Sequence, residues 1–469
     1  MLKRVGGKIS EEGAVISIKE ASFPVPFKAG LEFNSPVHGN WNIVHTGMLM
    51  PEARQIYVCA DNCMRGVVLT AAEMNAADRF SFVILEEENL LDGNLEDITI
   101  EGVSDVLNRL PQKPKAVLLF TVCLHHFMGC DLETVYHELE TRFPDIYFVR
   151  CYMDPIMQKH GLTPDQKLRK AMYDPLKPDK KDPHTVTITG SDFALDETSD
   201  LKRLLRAYGY KVLEMPECHT WEEYQQLGEG SLFVTVYPPG KYGGEMLAER
   251  LKRQHLYLPG SWDYEEIRGE LQKLTEALNL PENTGTEDKT GFGNRTVSDT
   301  ENKWTGVGDF SVEEEIRKCE EALQNARELI GDTPVALDYL FHPRPLGLAK
   351  LLLTHGFHVE TVYLDSISPE EKEDFLWLQR NCPDLILKAT IQVKMRVLSR
   401  KNNRKILAIG QKAAWFTGSR NFVNMVQGGG LYGFDGIRRL CNLMTEAYQQ
   451  EKDTEDLVVR KGWGCESCI

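Results

Sequence analysis

The sequence predicts an α/β protein built from several domains with parallel β-sheets. Short apolar runs alternate with helical stretches along most of the chain, which is the order that open α/β sheets require. The 469 residues are too many for one hydrophobic core, so two to four domains are expected. From Pro281 to Phe310 the chain has almost no aliphatic residues and many Gly, Thr and Asn, which predicts a long loop or linker.

The first third of the chain is expected to begin with a loosely structured segment, residues 1–34, that contains a short strand at Gly13–Ile18. A strand is predicted at Gln55–Val58, and a helix is predicted to begin near Val67. The apolar run Ala116–Val122, which follows a proline-containing turn, predicts a buried strand.

A cysteine- and histidine-rich turn follows that buried strand. It carries Cys123, His125, His126 and Cys130, at the position where open α/β sheets place their chemistry. Cys130 precedes the next helix, which is expected to lower its pKa and favour the thiolate. For Cys123 alone, a buried structural cysteine is the competing interpretation. A histidine beside such a turn is more often a hydrogen-bond donor than a metal ligand.

Cys59 and Cys63 follow the upstream strand in the same way. Parallel strands present their carboxyl ends on one edge of a sheet, so the two cysteine loops are expected to meet there. Four thiolates on neighbouring loops can bind an iron–sulfur cluster or zinc. Neither half of a usual C-x-x-C zinc motif is present in this region, which favours iron–sulfur.

The rest of the chain repeats the alternation of strands and helices. Strands are predicted at His184–Gly190, Tyr210–Met215, Ser231–Tyr237, Val335–Tyr339 and Phe357–Tyr363. Helices are predicted at Ser199–Tyr208, Trp221–Leu227, Ser311–Ile330, Leu346–Thr354 and Ile437–Tyr448. A glycine-containing loop, Gly240–Gly244, offers backbone N–H groups to an anion, but the chain has no P-loop motif.

Composition excludes several classes of function. The formal net charge is −16, and no basic stripe with interleaved aromatic residues occurs, so nucleic acid is not expected as a partner. No apolar run reaches the length of a transmembrane helix, and the first residues lack the apolar core of a signal peptide, which predicts a cytoplasmic protein that does not bind membranes. The 11 cysteines then favour metal or redox chemistry over disulfides.

Several segments resemble the nitrogenase component 1-like oxidoreductase superfamily. TVCLHHFMGCDLETV and IYVCADNCMRG are similar to the segments that supply the third and second cysteines of that family's P-cluster. HTVTITGSDFALDETSDLKRLLRAYGYKV resembles the start of its second domain, and GGGLYGFDGIRRLCNLM the segment before its closing helix. The resemblance runs from about Ser35 to Tyr448 and implies three Rossmann-like domains. Cys63 matches the second ligand position better than Cys59.

The resemblance and the composition together predict five regions. They are an N-terminal α/β domain with the cysteine site at 1–180, a second Rossmann-like domain at 181–282, a linker or long loop at 283–310, a third Rossmann-like domain at 311–455 and a flexible CxxC tail at 456–469.

The chain also departs from the family pattern. The first family cysteine is absent, and Ser35 and His38 lie in its place, whereas Cys59 and Cys130 are additional. The resemblance therefore implies a relocated ligand set, predicted as Cys59, Cys63, Cys123 and Cys130. These thiols would bind a [4Fe–4S] cluster or part of a P-cluster-like centre shared with a partner. His38, Cys465 and Cys468 are lesser candidates.

The resemblance also implies a cofactor between the domains, held by a cysteine of the second domain and a histidine of the third. LYLPGSWDYEEI contains no cysteine and residues 415–430 contain no histidine, so a nitrogen-fixing cofactor subunit is not expected. His342 and Cys218 are the substitutes that the sequence offers.

The predicted function is that of an oxidoreductase subunit that carries an iron–sulfur cluster and passes electrons to a substrate between the domains. The resemblance implies two partners, a separate ATP-dependent iron protein as donor and a second component 1-like subunit in a homo- or hetero-oligomer. A scaffold or carrier for cluster assembly, with the C-terminal CxxC as its exit, is the first alternative. A zinc-stabilised structural subunit is the second.

Overall fold

The computed structural model describes residues 12–33, 35, 37, 43–154, 161–177, 180–280, 304–397 and 404–454. His38, most of the predicted linker and the tail with Cys465 and Cys468 lie outside these ranges. None of the helices within the described ranges combines the length and the hydropathy that crossing a bilayer requires.

The first third of the chain forms a four-stranded parallel sheet in the order β3-β2-β4-β5. Its elements, in chain order and with the N-terminal strand included, are β1 (Val15–Ser17), α1 (Ile43–Met48), β2 (Ala53–Cys59), α2 (Asp61–Glu73), β3 (Phe80–Ile84), α3 (Glu87–Asp92), α4 (Leu95–Arg109), β4 (Ala116–Val122), α5 (Cys123–Phe127), α6 (Leu132–Arg142), β5 (Tyr147–Met153) and α7 (Pro164–Ala171). All seven residues of β4 are buried, as the apolar run predicted, because apolar residues cover both faces of this strand.

A second parallel sheet follows, in the order β7-β6-β8-β9. Its elements are β6 (Asp182–Thr189), α8 (Asp200–Ala207), β7 (Lys211–Glu214), α9 (Trp221–Gln226), β8 (Gly230–Thr235), α10 (Lys241–Leu251), β9 (Gln254–Tyr257) and α11 (Tyr264–Ala277). The predicted loop at Gly240–Gly244 is mostly the first turn of α10, which begins at Lys241. Gly244 instead allows close packing, since a Cβ there would lie 2.1 Å from the Thr235 Oγ1 atom.

The third sheet has six strands in the order β1-β14-β13-β12-β15-β16. The elements of this region are β10 (Gly306–Val307), β11 (Phe310–Ser311), α12 (Val312–Ile330), β12 (Val335–Asp338), α13 (Pro345–Thr354), β13 (Val359–Tyr363), α14 (Lys372–Asn381), β14 (Ile386–Lys388), β15 (Leu407–Ile409), α15 (Gln411–Thr417), β16 (Asn421–Val423) and α16 (Gly433–Gln449). Strands β12 to β16 are parallel, and β10 and β11 form a separate hairpin.

The α/β fold with several parallel sheets is confirmed, with one difference at the N-terminus. Strand β1 pairs antiparallel with β14, with Ile16 opposite Leu387. The expected division at residue 180 assigned Val15–Ser17 to the first domain, whereas the strand joins the third sheet. Its Ser17 hydroxyl also donates to the Pro383 carbonyl oxygen at 2.6 Å, so side-chain and backbone bonds together place the strand there.

Candidate functional site

Cys59 is the last residue of β2 and is fully buried, so it does not lie on a loop as the sequence predicted. Its side chain belongs to the core on the face of the first sheet that includes Tyr57 and Phe120. Burial, followed by the nearby charges of Cys63 and Asp61, raises the pKa of Cys59 to about 12. A neutral thiol in an apolar core is a packing group.

Cys63 lies in the first turn of α2 and is exposed. The prediction that this helix begins near Val67 is wrong, because it begins at Asp61. The residue before the helix is Ala60, which has no side-chain oxygen to accept a capping hydrogen bond. The usual sequence signal for a helix start is therefore missing here.

Cys123 is half-buried and opens the short helix α5, which replaces most of the predicted turn. Burial raises the pKa of the Cys123 thiol, and the nearby charges of Cys63 and Asp154 raise it further. Because β2 and β4 are adjacent parallel strands, Cys63 and Cys123, which follow their carboxyl ends, lie at the same edge of the first sheet. Unlike the buried Cys59, both thiols reach the surface.

Cys130 and Cys59 lie on opposite sides of the first sheet. Cys130 packs against the core on the face opposite to that of Cys59, so the thickness of the sheet separates the two thiols. Burial and the Glu96 carboxylate, to which the thiol donates a hydrogen bond, raise the pKa of Cys130 to about 12. The predicted lowering by the following helix is wrong, because Glu96 Oε1 itself accepts from the Asp131 N–H at 2.7 Å and brings a negative charge to the thiol.

The predicted set of four thiolates does not fit a cluster held by one chain. Within the described ranges, no three His, Cys, Asp or Glu side chains are grouped as a metal centre requires. Cys63 and Cys123 are the pair that follows adjacent strands and reaches the surface, and two thiols are half of the usual ligand set of a cluster. Of the four predicted ligands, Cys63 and Cys123 are therefore the two that the fold leaves accessible at one edge of the sheet.

The histidines of this region have other roles. His125 is buried, and its Nδ1 atom accepts from the Val122 N–H at 3.3 Å while Nε2 lies 3.4 Å from the Thr99 hydroxyl. Burial lowers the pKa of His125, which keeps the ring neutral. His126 is exposed. The two contacts of His125 are to Thr99 and to the Val122 backbone, and neither involves sulfur. Since Thr99 belongs to α4, His125 connects α5 to that helix.

Large exposed apolar side chains follow three neighbouring strands of the first sheet. Leu91 of α3 is 86 % exposed and Phe127 at the end of α5 is 62 % exposed, with Met128 and Val68 also exposed. These residues follow the carboxyl ends of β2, β3 and β4, which are neighbours in the sheet. We call Val68, Leu91, Phe127 and Met128 the apolar rim. Large apolar side chains that are exposed on one part of a surface are typical of interaction surfaces.

A second feature is a cleft of about 640 Å³ between the regions of the three sheets. Helix α7, the loop between β8 and α10, and the loops that follow β12 and β13 form its walls. The cleft lies outside the carboxyl ends of parallel strands, where open α/β sheets bind their ligands. Its size lies within the range of small-molecule sites.

The cleft contains a buried ion-pair network that the sequence analysis missed. Arg169 of α7 binds Asp165, four residues earlier, and Asp192, which follows β6. Asp192 Oδ2 also accepts from the Thr46 hydroxyl at 2.9 Å and from Gln427 Nε2 at 3.0 Å, so it joins three distant parts of the chain. The i,i+4 spacing of Asp165 and Arg169 was the one available sequence signal.

The two segments that the resemblance assigns to an interdomain cofactor meet beside this cleft, around a cavity of only about 20 Å³. That volume holds about one water molecule. His342 lines the cavity, and burial lowers its pKa to about 3. Cys218 donates to the Glu214 carbonyl oxygen at 3.4 Å, and burial raises its pKa to about 12. A bulky metal cofactor does not fit between these segments.

The sequence matches the family model for nitrogenase component 1 type oxidoreductases over residues 101–448. A solved structure of nitrogenase Cp1 at pH 6.5 has a similar fold, with a TM-score of 0.61, 13 % identity, and coverage of 90 % of this chain and 94 % of that chain. A structure of nitrogenase Cp1 at pH 5 gives a TM-score of 0.54 at 12 % identity, with 93 % and 94 % of the two chains covered. No curated protein sequence gives a significant match.

Proposed function

Because the chain belongs to the nitrogenase component 1 type oxidoreductases, we propose that it is an electron-transferring subunit of such an enzyme. In this proposal a separate ATP-dependent iron protein supplies electrons to an iron–sulfur cluster on the first sheet. The cluster passes them to a substrate in the cleft between the domains. The observation that carries the proposal is that two thiols that reach the surface, Cys63 and Cys123, follow the carboxyl ends of adjacent parallel strands of that sheet.

The ligand set proposed here is smaller than the one predicted from sequence. Cys63 and Cys123 bind the cluster, and a second component 1-like subunit supplies the remaining ligands. The apolar rim supports this arrangement, because an interface there would bury Leu91 and Phe127 and exclude water from the iron. Cys59 and Cys130 serve as packing groups on opposite faces of the sheet.

An iron–sulfur cluster at this position supplies one-electron transfer, with a potential set by burial and by hydrogen bonds to sulfur. The chain's own part is to hold two thiolates in place. Metal binding displaces the thiol proton, so the raised pKa of Cys123 makes loading of the cluster depend on pH. The short helix α5 and the buried His125 fix the position of Cys123.

The test is anaerobic purification, followed by analysis of iron, sulfide and zinc and by low-temperature EPR. The full chain is compared with Cys63→Ser and Cys123→Ser, and with Cys59→Ala and Cys130→Ser as matched controls. We expect iron and sulfide with a reducible EPR signal in the wild type and in the two controls, and loss of both in the two test variants.

Metal-free protein, or zinc that survives the substitutions, would refute the proposal. If Cys130→Ser lost as much iron as the two test variants, Cys130 would be a ligand, as the sequence predicted. A cluster that is transferred to an apo-acceptor, and that a reduced iron protein with ATP does not reduce, would identify an assembly scaffold in place of a reductase.

A further inference from the structure

We infer that the cleft binds an uncharged ligand with a carbonyl oxygen, of the amide or lactam class, which accepts a hydrogen bond from Arg169. That this ligand is a substrate rests on the proposed function. Binding of the ligand, however, does not depend on the cluster. The inference starts from the hydrogen bonds of Arg169, whose side chain is only 5 % exposed and lines the cleft.

One of the three guanidinium nitrogens of Arg169 takes no part in the ion-pair network. Its Nε donates to Asp165 Oδ2 at 3.0 Å, and its Nη1 donates to Asp192 Oδ1 at 2.6 Å and to the Gly190 carbonyl oxygen at 2.9 Å. Among the described residues, Nη2 has no acceptor. A charged donor left unpaired at the wall of a cleft gains a strong hydrogen bond when a ligand supplies an acceptor.

The charges around Arg169 select against an anion. Two carboxylates, Asp165 and Asp192, already bind this one cation. Farther out, Lys241 lies 4.0 Å from Glu245, and Glu370 accepts from the Tyr257 hydroxyl at 2.6 Å. The cleft therefore has an excess of negative charge that repels a carboxylate or a phosphate. A neutral carbonyl oxygen satisfies Nη2 without that repulsion.

Gln427 adds a matching acceptor. Its Nε2 donates to Asp192, the carboxylate that also binds Arg169, so the two side chains lie next to each other at the cleft. The buried Gln427 Oε1 atom has no donor among the described residues. The backbone of Gln427 has a φ of 53°, a left-handed conformation that non-glycine residues adopt at a cost and that is frequent at binding sites. An N–H beside the ligand carbonyl would pair with Oε1.

Aromatic and proline side chains supply the apolar part of the remaining walls. The Tyr237 ring lies 5.1 Å from the Arg169 guanidinium, and Tyr242, Tyr339 and several prolines line the cleft beside polar side chains such as Ser366. Aromatic and proline surfaces favour a compact planar ligand over a flexible chain. The inferred ligand is thus a planar amide or lactam whose polar edge faces Arg169 and Gln427.

The test uses three probes of nearly equal shape, benzamide, benzoate and benzamidine, with the full chain. Binding is measured by saturation-transfer NMR and by competition. We expect benzamide to bind and benzoate to bind at least about tenfold more weakly, which corresponds to about 1.4 kcal/mol. Benzamidine is a cation that offers donors but no acceptor for Arg169 Nη2, so we expect it not to displace benzamide. Displacement by benzamidine would show that the negative charge of the cleft governs binding and would overturn the inference. Benzoate binding as tightly as benzamide, or no binding of benzamide, would overturn the inference.

Two variants locate the site. Arg169→Lys keeps three N–H donors for Asp165, Asp192 and Gly190 but leaves none for a ligand, so benzamide binding should be lost. Ser366→Trp places a bulky ring on the exposed wall of the cleft and leaves the ion-pair network intact. If Arg169→Lys fails to fold, the inference is tested by the relative affinities of the three probes and by the Ser366→Trp variant. Benzamide binding that survives Ser366→Trp would refute a site in the cleft.

This experiment separates the two proposals. A chain that binds benzamide but never holds iron refutes the proposed electron-transfer function and supports the ligand class. A chain that holds a reducible cluster but shows no preference for benzamide over benzoate supports electron transfer and overturns the ligand class.

Discussion

Replacing Asp200 by asparagine should remove part of the pH dependence of the protein's stability. Asp200 is fully buried at the start of α8, where its Oδ2 accepts from the Asp435 N–H at 3.1 Å. This bond connects the second sheet region to helix α16. Burial raises the pKa of Asp200 from 3.8 to about 7, against the opposing effects of that bond and of Arg203.

The sign follows from the protons bound in each state. Between about pH 4 and pH 7 the folded protein keeps a proton that the unfolded chain has released, so the free energy of unfolding falls as pH rises. A shift of about three pKa units corresponds to about 4 kcal/mol, at about 1.36 kcal/mol per unit. Below about pH 4 both states are protonated and the full stability is present. Above about pH 7 the loss is complete.

The asparagine side chain of the Asp200→Asn variant would stay neutral and keep an oxygen for the Asp435 N–H. The pKa of about 7 already includes the attraction of Arg203, so that ion pair adds no separate contribution to the difference. Relative to the wild type, we therefore expect little change near about pH 4.5 and a gain of about 4 kcal/mol near about pH 8. Other buried carboxylates, such as Glu270, contribute equally to both proteins and cancel in the difference.

The assay is urea unfolding followed by circular dichroism at several values between about pH 4.5 and about pH 8. Asp105→Asn, on the exposed face of α4, is the matched control and should give a curve parallel to that of the wild type. Parallel curves for Asp200→Asn and the wild type would show that Asp200 is ionised without cost, and the reasoning from burial would be refuted.

Three further predictions concern packing and assembly. Leu119→Ala, in the fully buried β4, should lower the free energy of unfolding by about 3 kcal/mol. Leu91→Ala, on the exposed apolar rim, should change it by less than about 0.5 kcal/mol, and urea unfolding of both variants tests this difference. Gly244→Ala should destabilise the folded protein by about 1–3 kcal/mol, because the new Cβ would overlap the Thr235 hydroxyl. Gly269→Ala, in α11 with open space around it, should stabilise the protein by about 0.5 kcal/mol. Equal shifts in the thermal unfolding temperature of the two variants would contradict the packing argument. Phe127→Arg should convert an oligomer to a monomer in analytical ultracentrifugation, and an unchanged sedimentation coefficient would exclude the apolar rim as the interface.

Much of the fold could be predicted because the signals are local. The apolar run Ala116–Val122 forms a strand with the predicted bounds, and the helix predicted at Ser311–Ile330 runs from Val312, with the Ser311 hydroxyl as its cap. Errors occurred where a local signal was weak or ambiguous. Ala60 gives no capping signal before α2, and the glycines of α10 suggested a loop because close packing of a helix has the same sequence signature.

The sequence by itself determined the α/β class, the placement of cysteines at strand ends and the resemblance to the nitrogenase component 1-like superfamily. Only the tertiary structure decided where each cysteine lies. Cys59 and Cys130 pack against opposite faces of one sheet, whereas Cys63 and Cys123 follow adjacent strands at its carboxyl edge. The tertiary structure also brought Arg169, Asp192 and Gln427 into one network. The physical reason is that exposure, pKa and spare hydrogen bonds depend on neighbours that are distant in the chain.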